Sequence, residues 1–273
     1  MSITIGIDVG GSTTKIVGFD GRKLLDPQLV KAADPVASVY GAFGKFTLDN
    51  GISLSSIERV MITGVGATFL DSTIFGLKTV HVNEFDATGR GGLYLSGLDE
   101  AIIVSMGTGT AIIHANVNGS AHLGGTGVGG GTLIGLSKKI LSMQDVKHIA
   151  ELAKDGNLEN IDLYIQDITE REISPSLSAR STASNFGKVS DIASKADIAL
   201  GIINLVFETI AMMSIFSARQ KNLSDIVLTG NLSVIPQTKS SFASLGKMFG
   251  VNFIIPDNST YATVVGTALT GII

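Results

Sequence analysis

The same local plan opens each half of the chain, and that duplication restricts the possible folds more than any other feature of the sequence. In the first copy an apolar strand over 3–7 runs into Asp8-Val9-Gly10-Gly11-Ser12-Thr13, and a second strand over 14–19 turns at Asp20-Gly21. In the second copy, 101–104 is the strand, Ser105-Met106-Gly107-Thr108-Gly109-Thr110 is the glycine turn, and 111–117 returns to Asn118-Gly119. Helical spacing predicts helices over 36–48, 86–95, 132–141, 145–153, 196–221 and 261–269, with a further helix after 225–228. Buried apolar runs predict strands over 57–62, 79–82, 225–228 and 252–255. The expectation is an α/β protein of two duplicated lobes, 1–98 and 99–273, facing each other across a cleft. Residues 154–184, with Gly156, Asn157, Pro175 and many serines, lack a strong period and read as an inserted irregular segment, the candidate for a lid.

Composition narrows the function classes. At 273 residues and 44% hydrophobic content the chain can bury a substantial core, and a net charge of -4 offers no basic surface for a phosphate backbone. The expected partner is therefore a small molecule and not a nucleic acid. With no cysteine, thiol nucleophiles, disulfides and thiolate zinc sites are excluded. Met1-Ser2 leads directly into Ile3, Ile5 and Ile7 without a basic region or cleavage site, so a cytoplasmic location is expected. The stretch 198–216 is apolar enough to span a membrane, but Asn204 and Glu208, four apart on one helical face, make it a buried or interface helix instead. Buried there, Glu208 needs a hydrogen-bonding partner.

Two glycine turns aimed at one cleft can present backbone N–H groups to a polyphosphate, because glycine allows close approach of the main chain. Ser12 and Thr13 add hydroxyl donors, and Lys15 adds a point charge if strand alternation turns it inward. Asp8, just before the turn, is placed to hold Mg²⁺ through water. A third glycine-rich stretch, 124–135, holds seven glycines in twelve residues and leads into a helix near Thr132, whose N-terminal N–H groups would favour an anion. Thr229-Gly230-Asn231, at the end of a strand, is a further ligand-facing turn.

Phosphoryl transfer to an alcohol needs one carboxylate within reach of the hydroxyl proton. In Asn83-Glu84-Phe85-Asp86, Glu84 follows a strand and precedes a helix and reads as that base, while Asp86 reads as the helix N-cap.

The segments Gly6 to Lys15, Asn83 to Ala87, Gly107 to Thr110, Gly124 to Thr132 and Ala183-Ser184-Asn185-Phe186-Gly187, in this order, make the chain resemble type II pantothenate kinases, within the acetate and sugar kinase, heat-shock chaperone ATPase and actin superfamily. The resemblance implies two actin-like (ribonuclease H-like) ATPase lobes, with ATP and Mg²⁺ between them. It further implies a homodimer and phosphorylation of the primary hydroxyl of pantothenate, the first step toward coenzyme A. Gly10, Gly11, Ser12, Thr13, Thr14, Lys15, Thr108, Gly129, Gly130, Gly131 and Thr132 then fall on the ATP-contacting motifs, with Asn231 in the later nucleotide-side turn. Glu84 is the implied base, and Ser105, Thr108, His122 and Gly125 join it on the acceptor side. At His122 the family pattern carries an arginine, a permanently charged fork suited to a carboxylate, which an imidazole does not reproduce. A kinase of a sugar or another small alcohol, or a nucleotide-gated ATPase switch, shares the same cleft.

Overall fold

The computed structural model describes residues 2–11, 13–31, 34–70, 73–170 and 178–272. The chain runs β1 (Ile3–Val9), β2 (Thr14–Asp20), β3 (Lys23–Leu24), β4 (Gln28–Val30), α1 (Pro35–Asp49), β5 (Ile57–Thr63), β6 (Thr73–Ile74), β7 (Leu77–His81) and α2 (Glu84–Ser96). It continues through β8 (Glu100–Met106), β9 (Thr110–Asn116), β10 (Gly119–Thr126), α3 (Gly130–Leu141), α4 (Val146–Leu152), β11 (Leu163–Tyr164), α5 (Ile165–Ile168) and β12 (Thr182–Ser184). Last come α6 (Lys195–Gln220), β13 (Asp225–Thr229), α7 (Pro236–Phe249), β14 (Asn252–Ile254) and α8 (Ala262–Leu269).

Among the described residues the first sheet has the order β3-β2-β1-β5-β7-β6, with β4 also on β2, and the second has β10-β9-β8-β13-β14. The duplication read in the sequence is therefore present in the topology. In each sheet the first strand pairs antiparallel with the second and parallel with a later strand, β1 with β5 and β8 with β13. The strands beside these crossovers are buried on both faces, which is why Ile3, Ile5 and Ile7, and likewise Ile102, Ile103 and Val104, sit in almost continuous apolar runs.

The division between residues 98 and 99 separates the sheets, but two helices cross it. α8, from the end of the chain, packs on β1, β2 and β5, while α2, from the first half, packs on β8, β9 and β10. The two helices meet each other at the junction, where Gly91 lies against the carbonyl of Ala262 and Gly266 against that of Ala87. There the hydroxyls of Thr88 and Thr263 are 2.9 Å apart.

Helix α6 is long and apolar enough to cross a membrane, yet it lies in the core of the second lobe against α3, α4, α7, β8 and β13. Its Glu208 carboxylate has the partners that burial requires: Thr182 donates its hydroxyl at 2.7 Å and Asn185 its amide at 2.8 Å. Within 154–184 the described residues carry structure that the composition does not suggest, because β11 and β12 pair there and Thr182 bonds to α6; Pro175 lies outside the described residues. Asp162 anchors the following loop, accepting from the Phe186 N–H at 2.9 Å and the Asn204 amide at 2.8 Å.

Candidate active site

The two glycine turns emerge at equivalent ends of the two sheets and line one cleft of about 480 Å³. Each is closed by its own backbone: the Gly10 N–H donates to the Thr13 carbonyl and the Gly107 N–H to the Gly109 carbonyl, both at 2.9 Å. The equivalence extends to register. Asp8 lies between Lys15 on β2 and Thr63 on β5; Ser105 lies between Ala111 on β9 and Thr229 on β13.

Asp8, Gly10, Gly11, Thr13, Lys15, Glu84, Ser105, Thr108 and Asn231 all line the cleft, while Ser12 lies outside the described residues. Thr14 does not: it is buried on the opposite side of β2, where its hydroxyl accepts from Ser38 at 2.7 Å. Lys15 faces inward, but its ammonium donates to the Asn231 side-chain oxygen at 2.9 Å and to the Thr260 carbonyl at 2.7 Å, tying the first lobe to the second.

The glycine-rich stretch serves the site from behind. Gly124 and Gly125 belong to β10, and Gly125 lies flush against the Thr110 carbonyl. The N–H groups of Gly130 and Gly131 donate to the carbonyls of Gly107 and Thr108 at 2.9 and 2.8 Å, and a side chain on Gly129 would come within 2.7 Å of the Thr108 carbonyl. Thr132 donates to the Gly127 carbonyl at 3.0 Å. Gly129, Gly130, Gly131 and Thr132 thus brace the second turn instead of forming the wall of the cleft, since these N–H groups already have protein acceptors.

Glu84 is the first residue of α2, and the N-cap is Asn83, not Asp86: the Asn83 side-chain oxygen accepts from the N–H groups of Phe85 and Asp86 at 2.9 and 3.2 Å. The Glu84 residue opens to solvent at the cleft, and partial burial of its carboxyl raises its pKa above the ordinary glutamate value. Asp8 is pushed up to about 6, chiefly by burial and further by Glu84, with Lys15 opposing. Burial lowers the Lys15 pKa, and Asp8 partly offsets it. His122 and Gly125 are not among the residues lining the cleft; the His122 ring is stacked on that of Phe85, the neighbour of Glu84 in the chain, with centroids 4.0 Å apart and planes 4° from parallel.

Gly64, Val65, Thr260 and Thr263 line the cleft without having been singled out in the sequence, whereas Gly230 lies in the ligand-facing turn read there. The signal for Gly64 was present, because Thr63-Gly64 ends β5 as Thr229-Gly230 ends β13, with φ of 91° and 86°. Thr260 and Thr263 stand just ahead of and within α8, and nothing local to them shows that this helix returns to the first lobe.

Solved structures share this architecture. Component A of the (R)-2-hydroxyglutaryl-CoA dehydratase of Acidaminococcus fermentans superposes with a TM-score of 0.70 at 18% identity, covering 99% of this chain and 97% of that one. The activator of the 2-hydroxyisocaproyl-CoA dehydratase of Clostridium difficile, solved with bound ADPNP, gives 0.68 at 16%, covering 99% and 94%. A hexokinase of the ROK family from Thermus thermophilus gives 0.57 at 12%, covering 98% of each chain. The fold is that of the actin-like ATPases.

Sequence relatives narrow this class. A family model described as Fumble matches residues 99–250. The type II pantothenate kinase of Bacillus cereus is 32% identical over 240 residues, 85% of this chain and 84% of the relative, and that of Staphylococcus saprophyticus is 28% identical over 237 residues, 83% and 84%. The chain belongs to the type II pantothenate kinase family.

Proposed function

We propose that the protein transfers the γ-phosphoryl group of ATP to the primary hydroxyl of pantothenate, with Glu84 as the base. The observation that carries the reading is the meeting, in one cleft, of two backbone glycine turns with the carboxylates of Asp8 and Glu84. The turns lie on opposite lobes, so a polyphosphate between them receives donors from both sides. Glu84 takes the hydroxyl proton as the acceptor oxygen forms its bond to the γ-phosphorus and the bond to the bridging oxygen of ADP breaks. Its raised pKa, caused by partial burial, strengthens it as a base.

Asp8 suits a hard dication. Its carboxylate is buried beside a second carboxylate, and Lys15, the nearest cation, is engaged by Asn231 and Thr260, which is why protonation becomes easier there. Mg²⁺ at this position supplies charge neutralisation to the phosphoryl oxygens. Among the described residues no group of three or more acidic or histidine side chains gathers, which fits an ion bound by one carboxylate, waters and phosphates. The enzyme acts in the cytosol as a homodimer.

The test is direct. The purified protein with ATP, Mg²⁺ and pantothenate forms ADP and phosphopantothenate. Glu84→Gln lowers kcat by about 10² or more while retaining ATP binding. Full turnover by Glu84→Gln overturns the base, and ATP hydrolysis independent of any alcohol overturns the kinase reading in favour of a nucleotide switch.

A further inference from the structure

Where α2 meets α8, the cleft carries a pair of hydroxyls that its glycine turns and carboxylates leave unused. Thr88 and Thr263 lie 2.9 Å apart, and of the two only Thr263 lines the cleft. Thr88 is 2% exposed, and among the described residues the Thr263 hydroxyl is its side chain's hydrogen-bond partner. Each hydroxyl has one hydrogen to give and lone pairs to receive. Were Thr263 the donor, the Thr88 hydrogen would be shut inside the protein without an acceptor, which costs the desolvation of that group. Thr88 therefore donates and Thr263 accepts, leaving the Thr263 hydrogen for the cleft.

The close crossing of the helices keeps the pair in place. Gly91 lies against the Ala262 carbonyl and Gly266 against that of Ala87, so each threonine adjoins a backbone contact that cannot slide. Among the described residues Thr263 makes no hydrogen bond to Asp8 or Glu84, and burial is the main cause of the raised pKa of each. Its donor is thus held for a ligand. Thr88 follows Glu84 by four residues, one turn along the same face of α2, so Thr263 stands on the side of the cleft from which the base works. The phosphoryl group nearest that side is the one being transferred, because its phosphorus bonds the oxygen that Glu84 deprotonates.

We propose that Thr263, oriented by Thr88, donates its hydroxyl hydrogen to an oxygen of the terminal phosphoryl group of ATP, so that the site holds ATP more tightly than ADP. This rests on reading the cleft as an ATP site and not on the identity of the acceptor. The contact leaves with the transferred phosphoryl group, which makes ADP the more weakly held nucleotide after transfer.

The experiment measures, by calorimetry with Mg²⁺ and no acceptor, the binding of ADP and of the ATP analogue in which an imido group replaces the β,γ-bridging oxygen. Thr263→Val keeps the shape of the side chain and removes the hydroxyl. It is expected to weaken the analogue about tenfold, the loss of a hydrogen bond to a charged oxygen, and to leave ADP within about twofold. Thr263→Ser, which retains the hydroxyl, is expected to stay within about twofold of the wild type for both nucleotides. Thr88→Val is expected to weaken the analogue about threefold and to add nothing to Thr263→Val, since Thr88 acts only through Thr263. A helix contact with no role in binding would shift the melting temperature and treat the two nucleotides alike. Equal effects of Thr263→Val on ADP and the analogue, or none on either, therefore overturn the proposal, and losses that multiply in the double variant overturn the part given to Thr88. A wild type that binds neither nucleotide removes the ATP reading and this inference together. One that shows the expected pattern yet leaves pantothenate unphosphorylated removes the acceptor alone and supports Thr263.

Discussion

The ammonium of Lys15, on the second strand of the first lobe, donates to the side-chain oxygen of Asn231, on the turn that follows β13 in the second, at 2.9 Å. Lys15 is buried and its other acceptor, the Thr260 carbonyl at 2.7 Å, lies just before the helix that returns to the first lobe. The side chain thereby sets how far the cleft closes. Lys15→Met is expected to raise the KM for ATP about tenfold or more, and to destabilise the fold by about 1–3 kcal/mol through the oxygens left without a donor. In denaturant unfolding, a double-mutant cycle with Asn231→Ala should show coupling of about 0.5–3 kcal/mol. Strict additivity of the two changes would remove the link.

Asp8 gives a pH dependence with a definite sign. Its folded pKa of about 6 lies above the ordinary aspartate value of 3.8, so between those values the folded state binds more protons than the unfolded one and stability falls as pH rises. Above about pH 6 the ionised carboxylate costs on the order of 2–3 kcal/mol. Asp8→Asn is expected to unfold at a higher temperature than wild type at neutral pH and to lose this slope, while losing activity. A melting temperature at neutral pH unchanged or lowered by the substitution would contradict the account.

What could be read from the sequence was whatever the backbone imposes locally. The paired strand-turn-strand units were visible because glycine at Gly10, Gly11, Gly107 and Gly109 marks close main-chain approach regardless of neighbours. At Gly129 to Gly131 the same inference was sound about closeness, and the close approach is to the Gly107 to Thr108 backbone. Alternation shows that Thr14 and Lys15 face opposite ways without saying which enters the cleft, and the answer lies 216 residues downstream at Asn231. The exchange of α2 and α8 between lobes leaves a local trace only as small residues on both helices.

Those small residues make the junction intolerant. A side chain on Gly266 would overlap the Ala87 carbonyl, and backbone on a packed helix cannot withdraw cheaply. Gly266→Ala is expected to cost about 3 kcal/mol or more, comparable to the larger core defects, or to prevent folding. Gly44→Ala is the contrast. It lies on the exposed face of α1 with no atom within 4 Å of the added carbon, and should stabilise by about 0.5–1 kcal/mol. Chemical denaturation of the two variants separates them, and a neutral Gly266→Ala would mean that the lobes can part at this crossing.

The duplicated glycines at the ends of β5 and β13 offer a test in which the two copies should behave differently. Gly64 and Gly230 share φ near 91° and 86°, and a side chain on either would press on the strand beside it, within 2.5 Å of the Val9 carbonyl or 2.6 Å of the Met106 carbonyl. Both alanine substitutions therefore carry a strain of about 1–3 kcal/mol. Only at Gly64 would the added carbon also lie 2.7 Å from a carboxylate oxygen of Asp8. Gly64→Ala is thus expected to raise the Mg²⁺ concentration needed for half-maximal activity about tenfold, since a misplaced Asp8 weakens the ion's position by roughly 1.4 kcal/mol. Gly230→Ala should instead weaken ATP, by displacing the neighbouring Asn231, and leave the Mg²⁺ requirement within about twofold. Titrating metal at saturating ATP in each variant distinguishes the two, and equal Mg²⁺ requirements would deny Asp8 its place at the ion.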